Sequence, residues 1–292
     1  MIENSKEKGT LFIVGTPIGN LDDISLRAIQ TLKSSDIIVA EDTRRTRKLL
    51  SHLGISKRLI SCHEHNADRA VPKIVAYIEN GESVSLVTDG GMPCISDPGS
   101  QLISLCHTLK LPVQLVPGPS AVIGAIALSG LAIDRFYFEG FLPKKKTDRL
   151  KRWEQIKNRT SAVIVFEAPH RFSGFLKEAQ DIIPDRLICI CREMTKIHEQ
   201  VIKGKPKEIV GLMEEMFENI ETVKGEITIV IAPGSQKTFM LDDASIDRAL
   251  REAWSDKSTN RDIAQTVADS IGLPFRKVYK RLLELIQLGK MR

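Results

Sequence analysis

The chain has 292 residues, 42% hydrophobic and 27% charged, with a formal net charge of +5 and a pI near 8.9. That length allows two compact domains, and the composition excludes a disordered or low-complexity protein. The mild positive balance permits an anionic partner without demanding one.

In chain order, short β-branched runs alternate with helical patterns. "TLFIVG" (10–15), "DIIVAE" (36–41), "RLISCH" (58–63), "SVSLVTD" (83–89) and "PVQLVPG" (112–118) read as strands, each followed by a helix. Strands alternating with helices form βαβ crossovers, so this part is expected to be a largely parallel sheet covered on both faces. "VIGAIALSGLAI" (122–133) is too short and interrupted to span a bilayer, and "MIENSKEKGTLF" has no apolar leader, so a cytoplasmic protein is expected. After "FYFEGFLP", the basic "KKKTDRLKRW" reads as a linker or an exposed helix start. A second sheet follows from "SAVIVFEA", "RLICICRE", "EQVIKG" and "EITIVIAPG". It is expected to be mixed, because the turn between the second and third runs is too short for a crossover. From about residue 242 the pattern is helical to the end. The expected domains are thus 1–134, 135–235 and 242–292. The five cysteines form no C-x-x-C pair and read as reduced thiols, with Cys189 and Cys191 on one strand face.

"SLVTDGGMPCISDPG" (85–99) starts as a buried strand and breaks into glycines and prolines around two aspartates. It is neither G-x-G-x-x-G nor G-x-x-x-x-G-K-[ST]. Pro93 and Pro98 each remove a backbone donor, and Asp89 and Asp97 place negative charge where a phosphate would sit. Such a corner suits a ligand with a cationic or hydroxyl-rich part. In open α/β sheets ligands bind beyond the carboxyl ends of the strands, so the other strand-end loops belong with it.

Those loops are "GTPIGNLDD", "EDTR", "HEHN", "ISDPG", "VPGPSA", "EGFLP", "FEAPHR" and "KGE". Taken in order, they resemble the tetrapyrrole-methylase superfamily and, more closely, its ribosomal RNA small subunit methyltransferase I family. The resemblance implies two α/β domains with S-adenosylmethionine in the cleft between them, and a homodimer. It also implies methylation of the ribose 2′-hydroxyl of a cytidine in the decoding region of 16S rRNA in the small ribosomal subunit. The family's usual D-A-G-T-P reads Asp89-Gly90-Gly91-Met92-Pro93 here. By motif position the cofactor shell is Pro17, Asp89, Met92, Ser120, Ala121, Glu167, Ala168 and Gly225. The alternative is that several of these only shape turns.

Methyl transfer to a hydroxyl requires loss of a proton, and Asp42, His63, Glu167, Glu193 and Lys196 are candidates to take it. Asp42 and Lys196 are chosen for activating or orienting the ribose, although Asp42 could instead cap the following helix. Arg44, Arg45, Arg47, His63, His65 and Arg171 are expected to hold phosphates or bases. His63-x-His65 alone is a weak metal signal, and no metal is expected. In the tail, Ile263, Val267 and Ile271 mark one apolar helix face, and Val278, Leu282 and Leu285 mark the next after "GLP". Arg276, Lys277, Lys280 and Arg281 gather on the second helix, the pattern of a nucleic-acid-binding helix–turn–helix or of a solvated structural cap. A tetrapyrrole methylase and a non-catalytic RNA-binding protein of the same fold remain the rival readings.

Overall fold

A computed structural model of the chain describes residues 8–217, 220–234, 243–254, 258–271 and 273–289. The extreme amino terminus and Gly272 of "GLP" lie outside the described residues. The chain forms two units, one ending at Gly234 and the other beginning beyond it.

The first sheet comprises β1 (Leu11–Val14), β2 (Ile37–Ala40), β3 (Arg58–Ser61), β4 (Val84–Leu86) and β5 (Val113–Val116). Its order is β3-β2-β4-β1-β5, and every pairing is parallel. β2 and β4 are interior, and their residues are buried throughout, as continuous apolar runs require when helices cover both faces. On one face, α1 (Leu26–Ser34) and α2 (Thr43–His52) contribute Ala28, Leu32 and Leu50. On the other, α3 (Ala67–Glu79) and α4 (Ser100–Thr108) contribute Ile74, Ile78, Leu102 and Cys106. Local caps set these helices: Ser25 accepts from the Ala28 N–H at 3.1 Å, and Asp42 accepts from the Arg44 N–H at 2.8 Å.

The second sheet has the order β6-β7-β10-β8-β9. Its strands are β6 (Phe136–Phe141), β7 (Ala162–Glu167), β8 (Ile188–Arg192), β9 (Gln200–Gly204) and β10 (Ile227–Ile231). β6 and β7 are parallel, the other pairs antiparallel, and β8–β9 is the expected hairpin. One element differs from the sequence reading. "FYFEGF" is an edge strand of this sheet, with Gly140 at φ +72° where the register shifts. The basic segment after it forms α6 (Lys146–Asn158), so of the two expected readings it is the helix start rather than the linker. Only Arg149, Trp153 and Ile156 of α6 are buried, so its apolar face is too narrow to show as periodicity.

Trp153 packs with Phe172 and Phe175 of α7 (Pro169–Ile182), and all three are fully buried. Each such side chain contributes about 1.5–3 kcal/mol. α8 (Pro206–Met216) adds Ile209 and Met213 to the same core. On the opposite face, α5 (Ala121–Ser129) sets Val122 and Ala125 against Ile164, Cys189, Cys191 and Val230. The helix that closes the first βα series therefore packs on the second sheet and ties the two sheets into one unit.

The second unit consists of α9 (Asp243–Glu252), α10 (Asn260–Ile271) and α11 (Phe275–Gln287). Its core joins Ile246, Leu250, Ile263, Val267, Val278, Leu282 and Leu285. Among the described residues, no helix is long and apolar enough to cross a membrane.

Candidate active site

The carboxyl ends of β1, β4 and β5 meet at one place because their turns permit close backbone approach. Thr16 and Gly91 exchange backbone hydrogen bonds of 2.9 and 3.0 Å. Gly15 and Gly118 lie so near that a Cβ on Gly15 would come within 2.6 Å of Gly118. Glycine is the residue that fits there. Above these turns opens a cavity of about 500 Å³, within the size range of small-molecule sites. Its first wall holds Ile18, Asp89 to Met92, Ile95 to Asp97, and Ser120 to Val122. The second sheet supplies Phe141, Phe166 to Pro169 and Gly225 to Thr228.

Asp89 accepts from the Asp42 N–H at 3.2 Å and pairs with Arg45 Nε at 3.4 Å, so Arg45 is the cation of "RRTRK" that reaches the cavity wall. On the opposite wall, the Glu167 side chain is fully buried and held by Arg149 and Arg171, each at 3.2 Å. Arg149 also pairs with Glu178 at 2.6 Å, and Glu178 accepts from Trp153 Nε1 at 2.5 Å. Beside Gly225, Lys196 bridges Glu193 at 2.8 Å and Glu226 at 3.1 Å. Gly225 has φ +99°, and a Cβ there would strike the Glu193 carboxyl at 2.5 Å. Both features favour glycine here.

Of the expected cofactor residues, Asp89, Met92, Ser120, Ala121, Glu167, Ala168 and Gly225 all line this cavity. Pro17 does not; Ile18 takes the wall position, and Pro17 presents its carbonyl to Gly90. The Ser120 hydroxyl caps α5 at the Ile123 N–H. The two residues chosen for the ribose are poor proton acceptors. Hydrogen bonds from the side chain and N–H of Arg44 hold Asp42 down to about pKa 2. For Lys196, burial works to lower the pKa, but the bonds to Glu193 and Glu226 outweigh it and the ammonium is stabilised. Lys196 can orient a substrate as a cation.

Arg171, expected at substrate, spends its guanidinium on Glu167 and on the carbonyls of Leu142 at 2.7 Å and Pro143 at 3.3 Å. Its place in the first turn of α7 turns it inward, onto a buried carboxylate. Arg44, Arg45 and Arg47 are exposed at the start of α2, with Arg44 in two hydrogen bonds to Asp42. His63 and His65 meet edge to face, with ring centroids 6.0 Å apart, outside the cavity lining. Among the described residues, no group of three His, Cys, Asp or Glu side chains is placed to hold a metal. On α11, Arg276, Lys277 and Lys280 are exposed. Arg281 is instead clamped by Asp247 at 2.7 Å, Asp243 at 3.5 Å and Glu284 at 3.2 Å.

Sequence reasoning did not include Ile18, Ile95, Ser96, Asp97, Phe141, Phe166 or Thr228 among the site residues. The apolar ones supply a surface on which a flat ring can lie, while Asp97 and Thr228 face the same space. Burial, aided by the charges of Glu41 and Asp89, raises the Asp97 carboxyl to about pKa 6 against a hydrogen bond from Thr88. Burial and Asp89 likewise raise Glu41. The cavity therefore offers carboxylates to a cation or a hydroxyl, and apolar walls to a ring.

The profile of the tetrapyrrole (corrin/porphyrin) methylases matches residues 10–210. The chain is 42% identical over 224 residues to the ribosomal RNA small subunit methyltransferase I of Thermotoga maritima, covering 77% of this chain and 98% of that protein. It is 37% identical over 281 residues to the protein of that name from Synechocystis sp., covering 95% and 98%. Among solved structures, diphthine synthase aligns with a TM-score of 0.58 at 14% identity, covering 77% of this chain and 90% of that one. The uroporphyrin-III-C-methyltransferase of Thermus thermophilus aligns with a TM-score of 0.54 at 16% identity, covering 77% and 94%. The fold seen here is shared with both. On its sequence the chain belongs to the tetrapyrrole methylase family and, within it, to the ribosomal RNA small subunit methyltransferase I group.

Proposed function

We propose that this protein is an S-adenosylmethionine-dependent methyltransferase acting on the small-subunit ribosomal RNA, with a ribose 2′-hydroxyl of a 16S cytidine as acceptor. The observation that carries this reading is the cavity at the strand ends, built from glycine turns and carboxylates in a chain of this family. A sulfonium, an ammonium and a ribose diol, with no phosphate, match those walls. Asp89 would face the cationic part, with the backbone at Gly90, Gly91, Ala121 and Ala168 close to the rest and Ile18, Phe141 and Phe166 against the adenine. When bound, S-adenosylmethionine supplies an activated methyl group. The chain itself holds donor and acceptor in line and excludes water, and positioning of this kind can account for much of the acceleration.

Arg44, Arg45 and Arg47 at the start of α2, and Arg276, Lys277 and Lys280 on α11, would hold RNA phosphates. The protein would work in the cytoplasm as a homodimer. Incubating it with labelled S-adenosylmethionine and small ribosomal subunits that lack the modification should label one ribose of 16S RNA, found by mapping the methylated nucleotide. Label on no RNA, or on a base, would refute the reading.

Asp89→Asn should weaken S-adenosylmethionine binding by roughly 10- to 100-fold, the range of a lost hydrogen bond to a charged group, while RNA affinity stays nearly unchanged. Calorimetry and filter binding measure the two. Equal loss in both, or in neither, would remove Asp89 from the cofactor side.

A further inference from the structure

Four carboxylates line the cavity: Asp89, Asp97, Glu167 and Glu226. Three already have a cation, with Arg45 on Asp89, Arg149 and Arg171 on Glu167, and Lys196 on Glu226. Among the described residues, no arginine, lysine or histidine pairs with Asp97. It stands instead among Thr88, Glu41 and Asp89, and Cys94 of its own loop feels its charge. The Thr88 hydroxyl donates to Glu41 at 3.3 Å as well as facing Asp97, so its single proton is contested. On the neighbouring β6, Glu139 is occupied by Arg152 at 3.2 Å. The loop that carries Asp97 is fixed by unusual backbone: Cys94 at φ +71° and Ser96 at φ +66° are both non-glycine residues in the left-handed region. Such conformations cost about 1–3 kcal/mol each and persist where the surroundings enforce them.

We propose that Asp97 takes the proton from the acceptor hydroxyl during methyl transfer. The proposal rests on the reading that a ribose hydroxyl is the acceptor. In the step, the hydroxyl oxygen bonds to the methyl carbon as the carbon–sulfur bond breaks. Sulfur keeps that bond's electron pair and loses its positive charge, and the hydroxyl proton passes to the Asp97 carboxylate. The products are a methyl ether, a neutral thioether and a carboxylic acid that returns its proton to solvent. The elevated affinity of Asp97 for a proton suits this work near neutral pH better than that of Asp42, which Arg44 keeps ionised.

Asp97→Asn tests it. Single-turnover methyl transfer to small subunits, with both partners saturating, should fall by roughly 10²- to 10⁴-fold, the usual weight of a positioned base. Calorimetric S-adenosylmethionine affinity should stay within about threefold of wild type, a change under 1 kcal/mol. Stability should move the other way. A carboxyl whose native pKa is raised above its unfolded value penalises folding once pH exceeds both, so the amide should raise Tm at pH 8 by about 2–4 °C. That gain should shrink as pH falls through 6 and vanish below 4. The wild-type rate should decline below about pH 6, and Glu41→Gln should move that decline to lower pH by removing one like charge.

An Asp97→Asn rate within threefold of wild type would overturn the proposal, as would a rate loss matched by lost cofactor affinity or a lowered Tm. If the wild-type protein methylates no ribose hydroxyl at all, the reading of function falls instead. The thermal measurement on the free protein still reports the penalised carboxyl in that case.

Discussion

Replacing Arg149 by methionine is expected to destabilise the unit that ends at Gly234 by about 3 kcal/mol, the lower end of what removing one partner of a buried ion pair costs. Arg149 is 7% exposed and bridges Glu167, whose side chain is fully buried, to Glu178. Methionine fills much of the same space and removes only the cation. Glu167 would keep Arg171 as its cation and the bond from the Ala168 N–H, which is why the lower end of the range applies. Chemical denaturation followed by Trp153 fluorescence, in a Trp254→Phe background, measures it. Adding Glu167→Gln should restore part of the loss, because the buried charge goes with it. A single variant within 1 kcal/mol of wild type would show that water reaches Glu167 and that the arginine clamp is not what holds the end of β7 at the cavity.

Nothing local in the sequence marks Arg149 as structural. "KKKTDRLKRW" is a charge run, and charge runs usually lie in water. What makes one of its arginines structural is a carboxylate 18 residues away on another element. Arg171 and Arg281 read as ligand contacts for the same reason: a sequence shows a cation but not the acid that packs on it. The glycine and proline corners were legible because their constraint is local. A strand followed by Asp89-Gly90-Gly91 must turn at once, and parallel strands must bring their carboxyl ends to one edge. Hence the expected first sheet and most of the cavity lining appear in the structure, while β6 was missed. Its first three residues, Phe136, Tyr137 and Phe138, are consecutive aromatics on an edge strand, and Phe136 and Tyr137 are both exposed, so no single buried face imposes a period of two. Asp97 was noticed as charge that repels phosphate. Its lack of a cationic partner among the described residues depends on where Arg45, Lys196 and Arg149 point, and only the folded chain fixes that.

In the second unit, changing Arg276, Lys277 and Lys280 together to glutamine is expected to weaken binding to the small subunit and to flatten its salt dependence. The three are exposed on α11, whose opposite face buries Val278, Leu282 and Leu285, and glutamine keeps the helix propensity. Arg281 is left in place because its bonds to Asp247 on α9 raise its proton affinity and hold α9 to α11. A variant that included it would mix lost packing with lost charge. Each phosphate contact removed should make the log–log slope of affinity against salt shallower by roughly 0.7 to 0.9. S-adenosylmethionine affinity should not move, since the cavity is built from residues of the first unit. If the basic face only solvates a structural helix, the slope will be that of the wild type, and Arg281→Gln alone will lower the unit's melting temperature without touching RNA affinity. The phosphates would then fall to Arg44, Arg45 and Arg47. Arg45 would be the most informative of them to change, because it stands on the exposed start of α2 and also pairs with Asp89 at the cavity wall.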